Sequence, residues 1–381
     1  MSNSTQAVLI ADSWRAANSG KTFQAYNPAT RQPLPDEFPV SSWSDCDKAL
    51  DAAAGAFERM QSLSGERIAD YLEKFVARLE IRKDEIVQRA HEETALPISP
   101  RLADGEFPRT IGQLRQAAEA ARVGSWRMPI IDSQQNIRSY YAAIGPVAVF
   151  GPNNFPLAFG SASGGDFAAA IAAGNPVIAK ANSSHPGTTQ LFAEEAQAAA
   201  QECDMPPAMV QLIYRTSHAD GERLVADHRL GATGYTGSRS AGLKLKAAAD
   251  AAGKPIYLEL SSVNPVVILP GALSERLTQI AEDFTGSCLM GAGQFCTNPG
   301  LVVLIKGHES DSFISTVAER FKKAPAGTLL SEGVEKSLAK SVQELREAGA
   351  ERAAGEDDST SERLSHPNTL LVASGAEFLA D

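Results

Sequence analysis

The sequence predicts an α/β protein whose mostly parallel sheet is covered by helices. Between residues 144 and 269, short apolar runs alternate with segments rich in Ala, and this alternation is typical of strands joined by helices. Residues 45–123 place apolar side chains three and four positions apart, which indicates further helices. Because 381 residues exceed one typical domain, we expect two or three domains.

The composition is that of a globular protein and argues against several classes of partner. Hydrophobic residues make up 43% of the chain and charged residues 21%, and the formal net charge is -11. An acidic surface repels nucleic acid and anionic membranes, so neither is an expected partner. The sequence shows no signal peptide and no apolar run long enough to span a bilayer, and we expect a cytoplasmic protein.

The cysteines suggest neither a disulfide framework nor a metal centre. Cys46, Cys203, Cys288 and Cys296 are scattered, with no CxxC pair and no histidine cluster at ligand spacing. We therefore expect free thiols and no bound metal.

The N-terminal region is predicted to begin with strands and to continue as helices. Residues 7–45 contain short apolar runs, and Tyr26-Asn27-Pro28-Ala29-Thr30 indicates a turn between two strands. Helices are predicted next, over residues 45–60, 66–96 and 101–123. Pro108 should kink the last of them or mark its first turn. Residues 126–141 carry little helix signal and predict a strand or hairpin that leaves the main body.

The alternating region supplies the strands of the predicted sheet. Strands are predicted at residues 144–150, 176–180, 210–214, 232–236, 256–260 and 265–269. Helices are predicted between them, at residues 162–173, 188–202, 224–227 and 238–252. In a parallel sheet, ligands bind where the strands end, so the residues that close each strand are the first candidates for a site.

The C-terminal region is less regular. Residues 301–305 predict a buried strand, residues 310–323 and 333–348 helices, residues 351–363 a polar surface loop and residues 369–372 a strand.

One cysteine lies in an unusual setting, within Gly291-Ala292-Gly293-Gln294-Phe295-Cys296-Thr297-Asn298-Pro299-Gly300. Glycines let the backbone approach a ligand closely, and the apolar run that follows should be rigid. Cys296 is therefore either an available nucleophile or a small buried residue in a tight turn.

Three polar residues lie at or beyond the ends of predicted strands. Asn154 belongs to a loop bounded by prolines, where its amide could donate to an oxyanion, although asparagine is also common in turns. Glu259 lies in an apolar strand, so it should be paired, exposed at an edge or kept for acid–base chemistry. Lys180 ends an apolar strand, where a ligand contact is expected.

Two further patterns concern ligand binding. Thr236-Gly237-Ser238 opens a predicted helix whose backbone N–H groups could bind a phosphate, although the GxGxxG fingerprint is missing. Arg109 and Gln113 are four residues apart and share one helix face. The alternative for Arg109 is a solvated surface arginine.

These features occur together, and in this order, in one known family. The motifs are Tyr26-Asn27-Pro28-Ala29-Thr30, Gly145-Pro146-Val147, Pro152-Asn153-Asn154-Phe155-Pro156, Gly174-Asn175-Pro176-Val177-Ile178-Ala179-Lys180, Tyr235-Thr236-Gly237-Ser238, Leu258-Glu259-Leu260 and Gly293-Gln294-Phe295-Cys296. Over essentially the whole chain, the sequence resembles the aldehyde dehydrogenases. It most resembles the branch containing the 2-oxoglutarate semialdehyde (2,5-dioxopentanoate) dehydrogenases. One departure is Ser261-Ser262, where the wider family has two glycines.

The resemblance implies roles for the candidate catalytic residues. Cys296 would attack the aldehyde carbon, and Asn154 and the Cys296 backbone N–H would hold the oxyanion. Glu259 would activate the water that releases the acid. The family's cofactor is a nicotinamide dinucleotide, which the resemblance places against Phe150, Pro152, Lys180, Ser183, Gly237 and Ser238.

The resemblance also predicts which cofactor and substrate are bound. Many NAD-specific relatives carry a glutamate where this chain has Ser183, so NADP should be accepted or preferred, with NAD possible. The substrate aldehyde would carry a second, anionic end that is bound by Arg109 and Gln113. The alternative for Arg109 is an ion pair with a surface carboxylate such as Glu106.

The resemblance predicts a Rossmann-like cofactor domain and an incomplete α/β catalytic domain. The cofactor domain would comprise residues 1–125 and 144–260, interrupted by an oligomerisation arm at residues 126–143. Residues 261–381 would form the catalytic domain, which ends before the family's Glu-x-Phe-Gly-Pro motif. The family forms homo-oligomers. The alternatives to the semialdehyde enzyme are a non-catalytic, nucleotide-binding remnant and an NADP-dependent enzyme for aliphatic aldehydes.

Overall fold

The computed structural model describes residues 5–355 and 362–380. The chain divides into two compact units, which are described in turn. Unit 1 comprises Met1–Tyr26 and Pro33–Leu260, and unit 2 comprises Asn27–Gln32 and Ser261–Asp381.

Unit 1 is built on a seven-stranded sheet. Its strands are β1 (Val8–Ile10), β2 (Ser13–Arg15), β7 (Val147–Phe150), β8 (Val177–Lys180), β9 (Val210–Ile213), β10 (Ala232–Gly237) and β11 (Ile256–Leu260), in the order β11-β10-β7-β8-β9-β1-β2. The five strands from β7 to β11 are parallel, and β1 and β2 add an antiparallel edge. The predicted parallel sheet is therefore confirmed.

The helices of unit 1 cover this sheet and pack on one another. They are α1 (Trp43–Met60), α2 (Gly65–Ile81), α3 (Lys83–Thr94), α4 (Phe107–Val123), α5 (Gly165–Ala172), α6 (Pro186–Glu202), α7 (His218–Val225) and α8 (Arg239–Ala251), and a kinked π-helical segment (Ile98–Glu106) precedes α4. Helix α2 packs against α4 and α6. Tyr71, Phe75 and Phe167 are fully buried there, and the ring of Phe75 meets Tyr71 at 6.3 Å and Phe167 at 5.8 Å.

Three predicted helices differ from the structure by more than a few residues at their ends. The single helix predicted over residues 66–96 is broken at Arg82, whose side chain binds Glu85 and Glu194. Pro108 lies in the first turn of α4, after an irregular start that the continuous pattern of residues 101–123 did not indicate. The short helix predicted at residues 224–227 is the longer α7, because the Ser217 side chain accepts the Asp220 N–H and starts the helix earlier.

Two hairpins complete unit 1. Strands β3 (Thr22–Asn27) and β4 (Gln32–Pro39) flank the predicted turn, and Asn27–Gln32, at the tip of this hairpin, are assigned to unit 2. Strands β5 (Ile130–Asp132) and β6 (Ile137–Ser139) form the predicted second hairpin and pair antiparallel. The β5–β6 hairpin is exposed throughout, including Ile130, Ile131 and Ile137.

Unit 2 contains a parallel strand pair covered by helices. Strands β12 (Pro265–Ile268) and β13 (Leu301–Leu304) are parallel and joined through α9 (Pro270–Leu289). Helix α10 (His308–Lys323) packs on α9, with Leu273, Ala281, Phe313, Val317 and Phe321 in a shared core. Strands β14 (Glu351–Ala354) and β15 (Leu370–Val372) pair antiparallel, and the unit also contains α11 (Glu332–Glu347) and α12 (Gly375–Ala380).

Two predictions for unit 2 are wrong. The apolar run at residues 301–305 is not a buried strand: Val302 and Leu304 pack on the core of unit 2, whereas Val303, on the opposite face, and Ile305, after the strand, are exposed. Within the loop predicted at residues 351–363, residues 351–354 form β14, since its Ala354 joins the core beside α10. Residues 356–361 of that predicted loop lie outside the described part of the chain.

Candidate active site

Most of the predicted site residues lie at the C-terminal ends of the parallel strands of the unit 1 sheet. Phe150 is opposite Lys180 on β8 and opposite Tyr235 on β10. Glu259, on β11, is opposite Thr236. Strand register therefore gathers the candidates that follow β7, β8, β10 and β11, as expected for the ligand-binding edge of such a sheet.

The loop that carries Asn154 follows β7 and is held against neighbouring elements. We call residues 151–164 the Asn154 loop. Asn182 Nδ2 donates to the Gly151 carbonyl at 3.0 Å, and His185 Nε2 donates to the Pro152 carbonyl at 2.8 Å. Burial lowers the pKa of His185 to about 4, so the ring is neutral near pH 7 and the proton lies on Nε2.

Lys180 and Ser183 occupy the end of β8 and the turn that follows it. Burial, together with the positive charge of Arg215, lowers the pKa of Lys180 to about 8. Ser183 lies half-buried in a turn in which Asn182 Oδ1 accepts the Ser184 N–H at 2.9 Å. Arg215 lies just beyond β9 and was not among the residues predicted from the sequence. Its position after the strand next to the one that ends at Lys180 could have identified it.

Gly237 and Ser238 join β10 to α8, as predicted. Ser238 is the N-cap residue of α8, and its hydroxyl accepts a hydrogen bond from the Ala241 N–H. Gly237 approaches Tyr235 so closely that a Cβ at this position would lie 2.7 Å from Tyr235 Oη. The open N-terminus of α8 thus presents backbone N–H groups beside the sheet edge, which suits an anion.

Glu259 is exposed on β11, the edge strand of the sheet. Of the settings expected for this carboxylate, the structure shows the exposed edge. Asp166, at the start of α5, was missed, and its only sequence signal was the Gly-Gly-Asp run at a helix start. A Cβ on Gly234 would lie 2.7 Å from Asp166 Oδ2. Desolvation, and then the charge of Glu259, raises the pKa of Asp166.

Arg109 lies over the aromatic rings of the Asn154 loop. Its guanidinium carbon is 4.8 Å from the ring centre of Phe159 and 5.8 Å from that of Phe155. Among the described residues Arg109 forms no ion pair. Glu106, the suggested partner, is a buried rather than a surface carboxylate: it pairs with Arg101 at 2.8 Å, and the charge of Arg109 acts on it from beyond ion-pair distance.

Gln113 is one turn further along α4 and is half-buried. Its Oε1 is buried without a hydrogen-bond partner in the described part of the chain. An unsatisfied buried acceptor is costly, so this amide suits a ligand that donates a hydrogen bond or a bridging water.

Cys296 belongs to unit 2, on a loop with a left-handed start. Gly291, Ala292 and Gly293 have φ values of 58°, 57° and 74°. The Cys296 carbonyl accepts from the Ser262 hydroxyl and from Asn264 Nδ2, the latter at 2.7 Å. The cysteine is half-buried, rather than buried as its alternative reading expected, and it forms no disulfide. The Ser262 side chain thus holds the backbone at Cys296.

The described residues show no metal centre and no membrane span. No group of three or more His, Cys, Asp or Glu side chains in this part of the chain could hold a metal ion. None of the described helices is both long and apolar enough to cross a bilayer.

Comparison with known proteins assigns the family. The model of the aldehyde dehydrogenase family matches residues 14–372. The chain therefore belongs to the aldehyde dehydrogenase family.

Two relatives share more than a third of the aligned residues. Alpha-ketoglutaric semialdehyde dehydrogenase 2 of Azospirillum brasilense is 36% identical over 377 residues, which is 96% of this chain and 71% of that protein. Alpha-ketoglutaric semialdehyde dehydrogenase of Acinetobacter baylyi is 35% identical over 342 residues, 87% of this chain and 64% of that protein.

Solved structures have the same fold. HpcC from Thermus thermophilus matches with a TM-score of 0.85 and 21% identity, over 98% of this chain and 73% of that one. A cysteine-to-alanine mutant of aldehyde dehydrogenase C from Pseudomonas syringae, in complex with NAD+ and octanal, matches with a TM-score of 0.84 and 21% identity, over 98% and 77%. The chain thus spans roughly two thirds to three quarters of the length of these proteins.

Proposed function

We propose that this protein oxidises 2-oxoglutarate semialdehyde to 2-oxoglutarate with NADP, through a thioester on Cys296. The observation that carries this proposal is the position of Arg109, an arginine without an ion pair among the described residues, over the rings of the Asn154 loop. A planar guanidinium binds a carboxylate through two hydrogen bonds. The similarity to two alpha-ketoglutaric semialdehyde dehydrogenases supports the same substrate.

The chemistry divides among three side chains. The Cys296 thiolate adds to the aldehyde carbon, and the Asn154 amide and the Cys296 N–H donate to the resulting oxyanion. A nicotinamide cofactor, when bound, would supply the hydride acceptor for this carbon, so that Cys296 is left carrying the acyl group as a thioester. Glu259 then takes a proton from water as the water attacks the thioester, and the acid and the free thiol are released.

The residues at the sheet edge fit a dinucleotide with a 2′-phosphate. Lys180 and Arg215 provide two neighbouring positive charges, and Ser183 provides no competing carboxylate. The N-terminus of α8, with Gly237 and Ser238, suits the pyrophosphate. Phe150 and Pro152, at the end of β7, would complete the site. The neighbours with bound NAD+ support a nicotinamide cofactor.

We expect NADP binding to weaken as the pH rises through about 8, the pKa of Lys180. Lys180 is charged below this pKa and attracts the 2′-phosphate, and it loses that charge above it. The dissociation constant for NADP should rise on the order of tenfold, the equivalent of one charge-assisted hydrogen bond, while that for NAD changes less. Fluorescence titration with both cofactors measures this difference.

The matched variant for this titration is Lys180→Arg, which stays charged across the same pH range. It should bind NADP with nearly pH-independent affinity. Equal pH profiles for NADP and NAD in the unmodified protein would contradict the assignment of Lys180 to the 2′-phosphate.

Substitution of Arg109 by Met should raise the KM for the acidic semialdehyde by roughly 10- to 100-fold, because about 1.5–3 kcal/mol of charge-assisted hydrogen bonding is lost. The KM for a neutral aldehyde of similar length should hardly change. Initial rates of nicotinamide reduction with both substrates give the comparison.

Arg115→Met is the control for Arg109, since Arg115 is exposed on the same helix and pairs with Glu80 at 2.8 Å. It should affect neither substrate. If Arg109→Met impaired both substrates equally, Arg109 would be structural, and an aliphatic aldehyde would become the better substrate proposal.

No reduction of either cofactor with any aldehyde would instead favour the nucleotide-binding remnant. The homo-oligomer and the cytoplasmic location stay predictions.

A further inference from the structure

Glu106 is a buried carboxylate that the proposed chemistry does not use. It ends the π-helical segment before α4 and is 1% exposed. Its Oε1 accepts two backbone N–H groups of the Asn154 loop, from Leu157 at 2.7 Å and from Ala158 at 3.0 Å. Its Oε2 lies 2.8 Å from Arg101 Nη1. One side chain therefore ties the loop to an element about 50 residues away in sequence.

Arg101 extends this connection to the other side of the loop. Its Nη2 donates to the Asn154 carbonyl at 2.9 Å, and its guanidinium carbon lies 4.2 Å from the ring centre of Phe155. The Glu106–Arg101 pair thus holds the backbone at Asn154 and again three residues later. This stretch of the loop contains neither helix nor strand, so these bonds replace the support that regular structure would give.

Two other buried carboxylates in unit 1 also accept backbone N–H groups, but at the starts of helices. Asp45 accepts the N–H groups of Ser42 and Asn18 and pairs with Arg15, at the start of α1. Glu93 accepts the N–H groups of Gly187 and Thr188, at the start of α6. Both support helix starts. Glu106 instead supports an irregular loop that carries a proposed oxyanion donor.

Stability alone is a weak reason for such a pair. A buried ion pair is often no more stable than well-packed apolar residues in its place, because desolvation offsets the attraction. What the pair does provide is a fixed geometry for the atoms that it bonds, and an oxyanion donor acts only when it is held in place before the reaction.

We propose that Glu106, acting with Arg101, is a positioning residue that fixes the Asn154 loop so that the Asn154 amide meets the oxyanion. This inference rests on the proposed function, in which Asn154 is the donor. Glu106 itself touches neither substrate nor cofactor in this proposal.

The kinetic test is Glu106→Gln, which keeps the shape of the side chain but replaces one acceptor oxygen by an NH2 donor that faces other donors. The rate of the hydride burst should fall by about 10²-fold, as for a displaced catalytic group, while the dissociation constant for NADP stays the same. In an Asn154→Ala background the same substitution should have almost no further effect, because the donor that it positions is gone. An undiminished effect in that background would overturn the proposal.

Asp45→Asn is the matched control, because it damages an equivalent buried carboxylate at α1. It should lower the melting temperature about as much as Glu106→Gln and leave the burst rate intact. A similar loss of burst rate in both variants would mean that Glu106 acts only through global stability. Arg101→Lys, a milder change, should slow the burst less than Glu106→Gln and covers the case in which Glu106→Gln does not fold.

Amide hydrogen exchange tests the loop without any need for turnover. In Glu106→Gln, protection of the Leu157 and Ala158 amides should fall by at least about tenfold, since each loses a charge-assisted acceptor. Protection at Gly187 and Thr188, which bind Glu93, should not change. Unchanged protection at residues 157 and 158 would overturn the inference. If the unmodified protein shows no activity but its Leu157 and Ala158 amides are protected from exchange, the proposed function is contradicted. The exchange measurement on Glu106→Gln then still tests whether Glu106 holds the loop.

Discussion

Replacement of Cys296 by Ala is expected to abolish aldehyde oxidation. In the proposed reaction the Cys296 thiolate adds to the aldehyde carbon and the hydride then leaves from that carbon, so neither step can begin without the thiol. Loss of a catalytic nucleophile costs on the order of 10⁶-fold in turnover. Reduced nicotinamide should therefore stay at the background level in steady-state assays, while NADP should still bind, since the residues proposed to bind it lie in unit 1.

Cys288→Ala is the matched control for this experiment. Cys288 lies in the same unit, and its Sγ is 3.6 Å from the Pro299 carbonyl, within the same loop region. Burial raises the pKa of the Cys288 thiol to about 11, so it is not a thiolate near neutral pH. Cys288→Ala should remain active. Normal turnover in Cys296→Ala, or its loss in Cys288→Ala alone, would contradict the assignment of the nucleophile.

The strand ends could be predicted from the sequence because two local patterns determine them. Apolar runs show where strands lie, and alternation with helices shows that the strands are parallel. The C-terminal ends of parallel strands lie side by side. The sequence alone therefore predicts that Phe150, Lys180, Gly237 and Glu259 are close together. The positions that follow the strands required no knowledge of side-chain packing.

The supporting residues could not be predicted in the same way. Glu106 stands among Asp, Gly and Arg residues, and this setting is typical of an exposed carboxylate. Its burial depends on the Asn154 loop folding over it, and that contact joins residues about 50 positions apart. Arg215 did carry one signal, since it follows the end of β9. Its closeness to Lys180 depends on the pairing of β8 with β9, which the sequence pattern alone does not fix.

Strand burial in unit 2 was misjudged for a related physical reason. Apolar composition predicts that a strand can be buried, but coverage of both faces of the sheet decides whether it is. Val302 and Leu304 of β13 pack on the core, while Val303 on the other face stays exposed. Conversely, β14 is polar in sequence, yet Ala354 is buried beside α10.

Substitution of Glu259 by Gln should separate the two halves of the reaction. Glu259 is exposed on the edge strand, where a water molecule can reach it, and Gln cannot accept the proton of that water. The hydride burst, which precedes hydrolysis, should keep its rate and its amplitude of one per active site. Steady-state turnover should fall by about 10²- to 10⁴-fold, the usual contribution of a general base. Rapid-mixing measurements of nicotinamide reduction resolve both phases.

Adding hydroxylamine tests whether a thioester accumulates in Glu259→Gln. It is a stronger nucleophile than water and captures a thioester without a general base, so it should restore multiple turnovers to Glu259→Gln and none to Cys296→Ala. Tyr257→Phe, an exposed position on the same face of β11, should behave like the unmodified protein. Loss of the burst in Glu259→Gln would place Glu259 before the thioester, and a failure of hydroxylamine to restore turnover would mean that no thioester accumulates.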